Sequence, residues 1–326
     1  MRKILSAITA LTALTLVLTG CSKSADAPKD GNSKAYRIGI TQIVSHPSLD
    51  DAREGFKQAL ADAGLEVEYD EQNAQSDQAT ASAIANKFAG ANLDLILAIS
   101  TPVAQATTQV ITDKPILFTA VTDPVAADLV ASNEAPGGNV TGTTDMNPVA
   151  DQIALVKQVK PDAKTVGIIY SSGEVNSEVQ VKVAREAAAK EGLEVVEKTI
   201  STGAEVVQAA QALSGVDAIY VPTDNNVVSG LDSVIQVAED AKIPLIAGET
   251  VSVEKGALIS VGLDYFTLGQ QTGQMAVKIL TQGADPATMP VEEQEKPRLV
   301  INMGAAKRMG IEIPQALLDK ADKKVD

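Results

Sequence analysis

The 326-residue chain has one cysteine, one histidine and no tryptophan, and aromatic residues make up only 3% of it. A single cysteine excludes an intrachain disulfide and any Cys-x-x-Cys pair, and a single histidine excludes a histidine-rich metal cluster, so no metal is expected. Positive charge is also scarce. Lys and Arg number 27 against 42 Asp and Glu, a net charge of -15. Such a surface repels phosphate backbones and other copies of itself, so nucleic acid is not expected as a partner and a monomer is. Neither GxGxxG nor GxxxxGK[ST] occurs, which removes the phosphate-cradling loops of nucleotide enzymes; no cofactor is expected. His46 and Cys21 are the only imidazole and thiol. They form no nucleophile-base pair, and a role as an enzyme is not expected. What remains is an ordinary globular composition, 45% hydrophobic and 21% charged, long enough for about two domains.

The chain opens with Arg2 and Lys3, an apolar run from Ile4 to Leu18, and Leu18-Thr19-Gly20-Cys21. That order of charge, apolar run and small residues is an export signal, here residues 1–20, and the run is short for a membrane span. Leu18 to Cys21 resembles the bacterial lipobox. The resemblance implies cleavage before Cys21, acylation of its sulfur, and an extracytoplasmic protein lipid-anchored to the cell membrane. The plainer alternative is a secretory peptide that happens to end at the only cysteine. Residues 21–35, rich in Ser, Lys, Asp, Pro and Gly, read as a flexible tether.

From Tyr36 onward, short β-branched or apolar runs alternate with helical patterns, which predicts α/β architecture with parallel sheets flanked by helices. The first half predicts strands at 37–40, 65–69, 93–99 and 115–120. After Asp145 the same grammar restarts, with strands at 165–170, 193–199, 217–221 and 244–247, and a helix over 227–241. The segments Ala61-Asp62-Ala63-Gly64-Leu65 and Ala189-Lys190-Glu191-Gly192-Leu193 match in form, each with Gly where a helix end needs a left-handed residue. This suggests two similar lobes, although any α/β protein reuses that helix-stop chemistry.

In open parallel sheets, ligands bind beyond the carboxyl ends of the strands. Polar residues stand there throughout: Thr41 and Gln42; Ser100, Thr101 and Pro102; Thr122 and Asp123; Ser171, Ser172 and Glu174; Thr223, Asp224 and Asn225; and Gly248, Glu249 and Thr250. Ser100-Thr101-Pro102 is the most informative, because a hydroxyl cap with Pro in the first turn leaves free N–H groups that favour an anion such as a carboxylate. Ser and Thr there can equally serve as helix caps alone. His46, before Pro47, reads as a local hydrogen-bonding residue, and Glu292-Glu293 as solvated surface.

Several strings, in order, resemble one family: His46-Pro47-Ser48-Leu49-Asp50, Ser100-Thr101-Pro102-Val103-Ala104-Gln105-Ala106, Val121-Thr122-Asp123-Pro124-Val125, Gly138-Asn139-Val140-Thr141-Gly142, Glu174-Val175-Asn176-Ser177, Pro222-Thr223-Asp224-Asn225 and Gly262-Leu263-Asp264-Tyr265. They are similar to the ABC-transporter substrate-binding lipoproteins associated with tryptophan and other aromatic amino acids. The resemblance implies a type I periplasmic-binding-protein fold: two similar lobes, each a parallel sheet flanked by helices, joined by a three-crossover hinge. Lobe 1 would take 36–144 and 264–297, and lobe 2 would take 145–263 and 298–326. It implies a small amino acid ligand, most simply aromatic, delivered to an ABC permease and its ATPase. Ser100 and Thr101 would hold the α-carboxylate with help from Thr122. Asp224, or else Asp123, Glu174 or Asp264, would hold the ammonium; Asp224 can equally be a helix cap. Asn176, Ser177 and Asn225 would close from the second lobe, and Gln42 and Thr223 complete the set. The shortage of aromatic residues leaves few walls for a stacking cage. A branched-chain amino acid, nucleoside or sugar ligand, and a surface-sensor role, are the alternatives.

Overall fold

A computed structural model describes residues 35–294 and 296–326. The signal, Cys21 and nearly all of the expected tether lie outside the described residues. The chain first builds β1 (Tyr36–Gln42), α1 (Pro47–Asp62), β2 (Val67–Asn73), α2 (Gln78–Gly90), β3 (Leu95–Ile99), α3 (Thr101–Thr108), β4 (Ile116–Val121) and β5 (Val140–Thr144). Next come α4 (Val149–Val159), β6 (Thr165–Ser171), α5 (Val175–Lys190), β7 (Glu194–Ile200), α6 (Val206–Gln211), β8 (Ala218–Val221), α7 (Asn225–Ser229), α8 (Leu231–Ala241), β9 (Leu245–Ala247), α9 (Thr250–Lys255) and β10 (Ile259–Gly262). The last stretch is α10 (Tyr265–Gln282), β11 (Glu292–Glu293), β12 (Arg298–Asn302), α11 (Met303–Met309), α12 (Gln315–Leu318) and β13 (Lys323–Val325).

These strands form two sheets, ordered β11-β5-β4-β3-β1-β2 and β13-β12-β10-β9-β8-β6-β7. Leaving aside the late strands, both follow one plan: the second strand lies outside the first, and the order then reverses and runs on. Each lobe therefore has one switch point, between β1 and β3 and between β6 and β8, where flanking helices depart to opposite faces and leave a crevice. Each sheet has its own apolar core. One is built on Ile38, Phe56, Leu95, Leu97 and Phe118 and the other on Ile168, Tyr220, Leu245, Ile246 and Ile259, all at most 1% exposed. Central strands such as β3 and β4 are buried end to end, which explains the unbroken apolar sequence of β3 and the apolar run of β4 interrupted only by Thr119. Gly64 and Gly192 end α1 and α5 with φ of +72° and +68°, the left-handed turn that the paired segments suggested.

Some elements differ from the expectation. The helix over 227–241 is two helices broken at Gly230, which sits against the Val206 side chain. The sheet of lobe 2 is mixed: β12 runs antiparallel to β10, pairing Arg298 with Gly262. The reason is the path of the chain, which enters lobe 2 for the last time beside the carboxyl end of β10 and must run back along it. Glu292 and Glu293 form an edge strand on β5, where Glu292 meets Lys278 and Gln271.

The chain crosses between sheets three times: after β5, after β10, and between β11 and β12. Side chains tie these crossings together. Asn147 Nδ2 donates to the Asp145 carbonyl (2.9 Å) while its Oδ1 accepts from Leu263 N (3.0 Å). Gln294 bonds both the N–H and the carbonyl of Asp264, and Arg298 pairs with the Asp264 carboxylate at 3.1 Å. The second crossing sends α10 back along α1, and glycines set the closeness of that contact. A Cβ on Gly269 would lie 1.9 Å from the Ala52 carbonyl oxygen, and one on Gly55 2.0 Å from that of Phe266. Gly269→Ala should therefore destabilise the protein by about 1–3 kcal/mol or more, as overpacking against backbone does. Gly90→Ala, in open space, should be near neutral; urea unfolding of the two variants checks the difference.

Candidate functional site

The two sets of strand ends face each other across a narrow space of about 10 Å3. Lobe 1 contributes His46, Ser48 and Leu49 from the start of α1, Ala120 and Thr122 from the end of β4, and Tyr265 from the start of α10. Lobe 2 contributes Asn176, Thr223, Asn225, Val228 and Glu249, and Asp145 comes from the first crossing. Nearly all of these residues end a strand or stand in the first turn of a helix that follows one, as α/β geometry requires; Val228 lies within the short α7. Among the described residues, no group of three or more His, Cys, Asp or Glu side chains is arranged to hold a metal ion.

Ser100 and Thr101 lie one strand away from this lining, where Ser100 N donates to the Thr119 carbonyl (3.0 Å). Both are 1% exposed, and neither hydroxyl has a partner. Ser100 occupies the N-cap of α3 without capping it, so the first N–H groups of that helix are left unsatisfied by it. Its φ is 94° and that of Ala120 is 55°, both left-handed. Strain of this kind costs about 1–3 kcal/mol per residue and gathers at ligand sites.

The carboxylates divide into saturated and open ones. Asp224 accepts from Ser171 N (2.5 Å), Ser171 Oγ (3.0 Å), Ser177 Oγ (2.7 Å) and Val227 N (2.9 Å), which makes it the cap of α7 and a brace within lobe 2. Ser177 is spent in that brace. Asp123 caps the turn at Val125 and Ala126, Asp264 caps α10 in the hinge, and Gln42 bonds Val44 and Asp50; none of the three lines the cavity. Glu174 stands directly behind the cavity wall. Its carboxylate receives the side-chain amides of Asn176 (3.0 Å), Asn225 (2.6 Å) and Asn226 (3.3 Å). Because Asn176 Nδ2 faces that carboxylate, its Oδ1 is free, buried and without a partner. Thr223 donates to Gln180 Oε1 at 2.9 Å. Thr122 donates to Asp145 at 3.0 Å, and the Tyr265 hydroxyl donates to the other oxygen of Asp145 at 2.5 Å.

His46, Ser48, Asp145, Glu249 and Tyr265 were not in the candidate set. Their sequence positions carried a signal, since Glu249 follows β9 and His46 opens a helix before Pro47, but nothing in one dimension shows that α1 and α10 point their first turns at the same space. Burial pushes the carboxyls of Asp145 and Glu249 above the usual range, against the donors that hold their charged forms. Burial also lowers His46 to about 4, outweighing the charge of Asp50, so the ring is neutral at neutral pH.

Glu174 is raised well above its ordinary 4.5, first by burial and then by the neighbouring Asp224. The folded protein thus binds this proton more tightly than the unfolded chain, and stability must fall as pH rises from 4.5 through the raised value. Asp145 and Glu249 share that sign. His46 has the opposite one, its contribution being lost as pH falls from 6.5 toward 4. Glu174→Gln should reduce the loss of urea stability between about pH 5 and about pH 9 relative to the unmutated protein. Equal losses in the two proteins would refute the effect of burial.

The family model described as ABC transporter substrate binding protein matches residues 37–325. The "Tyrosine-binding protein" of Clostridioides difficile (strain R20291) is 45% identical over 322 residues, 95% of this chain and 93% of that one. A Streptococcus pneumonia ABC domain solved in complex with L-Trp is 37% identical with a TM-score of 0.86, covering 89% of this chain and 100% of that one. The ligand-free, open structure of a Clostridium difficile substrate binding protein with adhesive properties is 46% identical, covering 90% and 100%, yet its TM-score is only 0.67. The chain belongs to the family of ABC transporter substrate binding proteins.

Proposed function

We propose that the protein is a lipid-anchored extracytoplasmic receptor that captures an aromatic amino acid between its lobes and delivers it to an ABC permease and its ATPase, without catalysing a reaction. The observation that carries this reading is the set of buried polar atoms left without partners at the strand ends: Asn176 Oδ1 in the lining of the interlobe space, and Ser100 Oγ and Thr101 Oγ1 one strand away at the start of α3. Unpaired buried groups cost about 1–3 kcal/mol each, and a ligand that pairs them recovers that energy only when the lobes are closed. The names of the L-Trp complex and the tyrosine-binding relative favour an aromatic amino acid over a branched-chain one, a nucleoside or a sugar.

In this reading Ser100, Thr101 and the first turn of α3 take the α-carboxylate. The ammonium goes to Asn176 Oδ1 and the Asp145 carboxylate, because Asp224 has no acceptor to spare. Thr122 and Tyr265 hold Asp145 in place, Glu174 orients Asn176, and Thr223 and Asn225 complete the wall from lobe 2. Closure then gives the permease a loaded form to recognise. Lobe boundaries at 144/145, 263/264 and 297/298 fall in the three crossings that would flex.

Thermal unfolding of protein stripped of ligand by unfolding and refolding tests the reading. Tyrosine, tryptophan or phenylalanine at about 100 times its dissociation constant should add roughly 2.7 kcal/mol. Ser100→Ala should weaken that ligand about 10- to 100-fold, the worth of a hydrogen bond to a charged group. A shift with only a nucleoside or sugar would overturn the aromatic assignment. For the anchor, Cys21→Ala should abolish incorporation of labelled palmitate and release the protein from the membrane fraction; unchanged labelling would refute lipidation at Cys21.

A further inference from the structure

The inner cavity is not the only space between the lobes. An outer pocket of about 200 Å3 abuts it, lined by Ser45 and Pro47 of lobe 1 and by Ser229, Leu231, Asp232, Val251, Ser252 and Lys255 of lobe 2. Four residues border both spaces and form the partition: His46, Ser48, Val228 and Glu249. Glu249 is committed, since its oxygens receive Val251 N, Ser252 N and the Ser252 hydroxyl at the start of α9. Val228 offers no polar atom. His46 Nδ1 and Ser48 Oγ are different. Both are buried, with residue exposures of 7% and 1%; His46 Nδ1 makes no hydrogen bond, and the Ser48 hydroxyl has only the already committed Glu249 carboxylate beside it. The first of them is a neutral imidazole nitrogen at neutral pH. Beside them Leu49 and Val228 give an apolar wall.

The amino acid head group, on the reading above, uses the acceptors and donors at the ends of β3, β4 and β8. A ligand side chain directed from there toward the outer pocket would bring the edge of an aromatic ring to the partition. We propose that His46 and Ser48 bind a hydrogen-bonding group on that edge, so that the site selects aromatic amino acids with a polar ring edge, tyrosine or tryptophan, over phenylalanine. This rests on the aromatic reading of the same site. A phenol hydroxyl or indole N–H supplies the partner that His46 Nδ1 lacks, with the Ser48 hydroxyl beside it, whereas a phenyl edge fills the same space and leaves the imidazole nitrogen unpaired. Sites built this way reject the analogue lacking the polar group far more strongly than an apolar slot rejects an added one.

Calorimetric titration of the ligand-stripped protein with the three amino acids tests the proposal. The expected result is phenylalanine binding at least 30-fold more weakly than tyrosine or tryptophan, an outcome on the order of one or two unpaired buried groups. His46→Leu should weaken tyrosine more than phenylalanine and bring the ratio to within about threefold, and Ser48→Ala should reduce the ratio without a change of ring packing at His46. Phenylalanine binding as tightly as tyrosine and tryptophan to the unmutated protein would overturn the proposal while leaving the aromatic reading intact. Equal weakening of all three amino acids in both variants would also overturn it, since that marks a structural role. Binding of none of the three would overturn the aromatic reading and the proposal with it.

Discussion

The carboxylate of Asp145 is the interaction on which the arrangement of the cleft turns. It lies immediately after β5, at the first crossing, and holds the Thr122 hydroxyl with one oxygen and the Tyr265 hydroxyl with the other. Those two partners end β4 and open α10, so one side chain joins a lobe 1 strand, the first crossing and the second. Asn147, two residues on, repeats the link through backbone groups of Asp145 and Leu263. A carboxylate this buried tolerates the loss of water only because both its oxygens are paired. The first and second crossings are consequently tied to one another.

The cleft reverses the logic of the surface. A chain with 42 acidic residues sheds most of that charge into solvent, where single ion pairs contribute little. Between the lobes the acids are buried and spent on internal donors: Asp224 on Ser171 and Ser177, Glu249 on α9, and Glu174 on three asparagines. The groups left open are small and mostly neutral. This suits a receptor, because a zwitterion can be held by hydrogen bonds and helix ends and released again, whereas a deeply paired ion is slow and costly to separate.

Much of this was legible in the sequence. Strand-helix alternation predicts the sheets because buried parallel strands must be apolar throughout, and the pairs at Gly64 and Gly192 correctly point to two lobes because a helix that turns directly into a strand needs a left-handed residue. The start of α3 at Ser100 and Thr101 was legible too, since Pro102 in the first helical turn marks a helix start. Local rules sufficed for these because each depends on contacts a few residues apart.

Other features depended on contacts between distant parts of the chain. Asp224 has the sequence surroundings of a ligand-binding acid, yet Ser171 and Ser177, some fifty residues away, occupy its oxygens. Glu292 and Glu293 look like solvated charge and are an edge strand, because β5 leaves its edge open to them. The direction of β12 followed from where the chain re-enters lobe 2. His46 appears local in sequence and becomes part of the cavity only when α1 and α10 bring their first turns against lobe 2. The sequence by itself thus determined the lobes, their strands and the polar ends of those strands, through periodicity and capping. Which polar ends remain open to a ligand was decided only by tertiary structure, because a buried donor or acceptor is satisfied by whatever the fold places beside it.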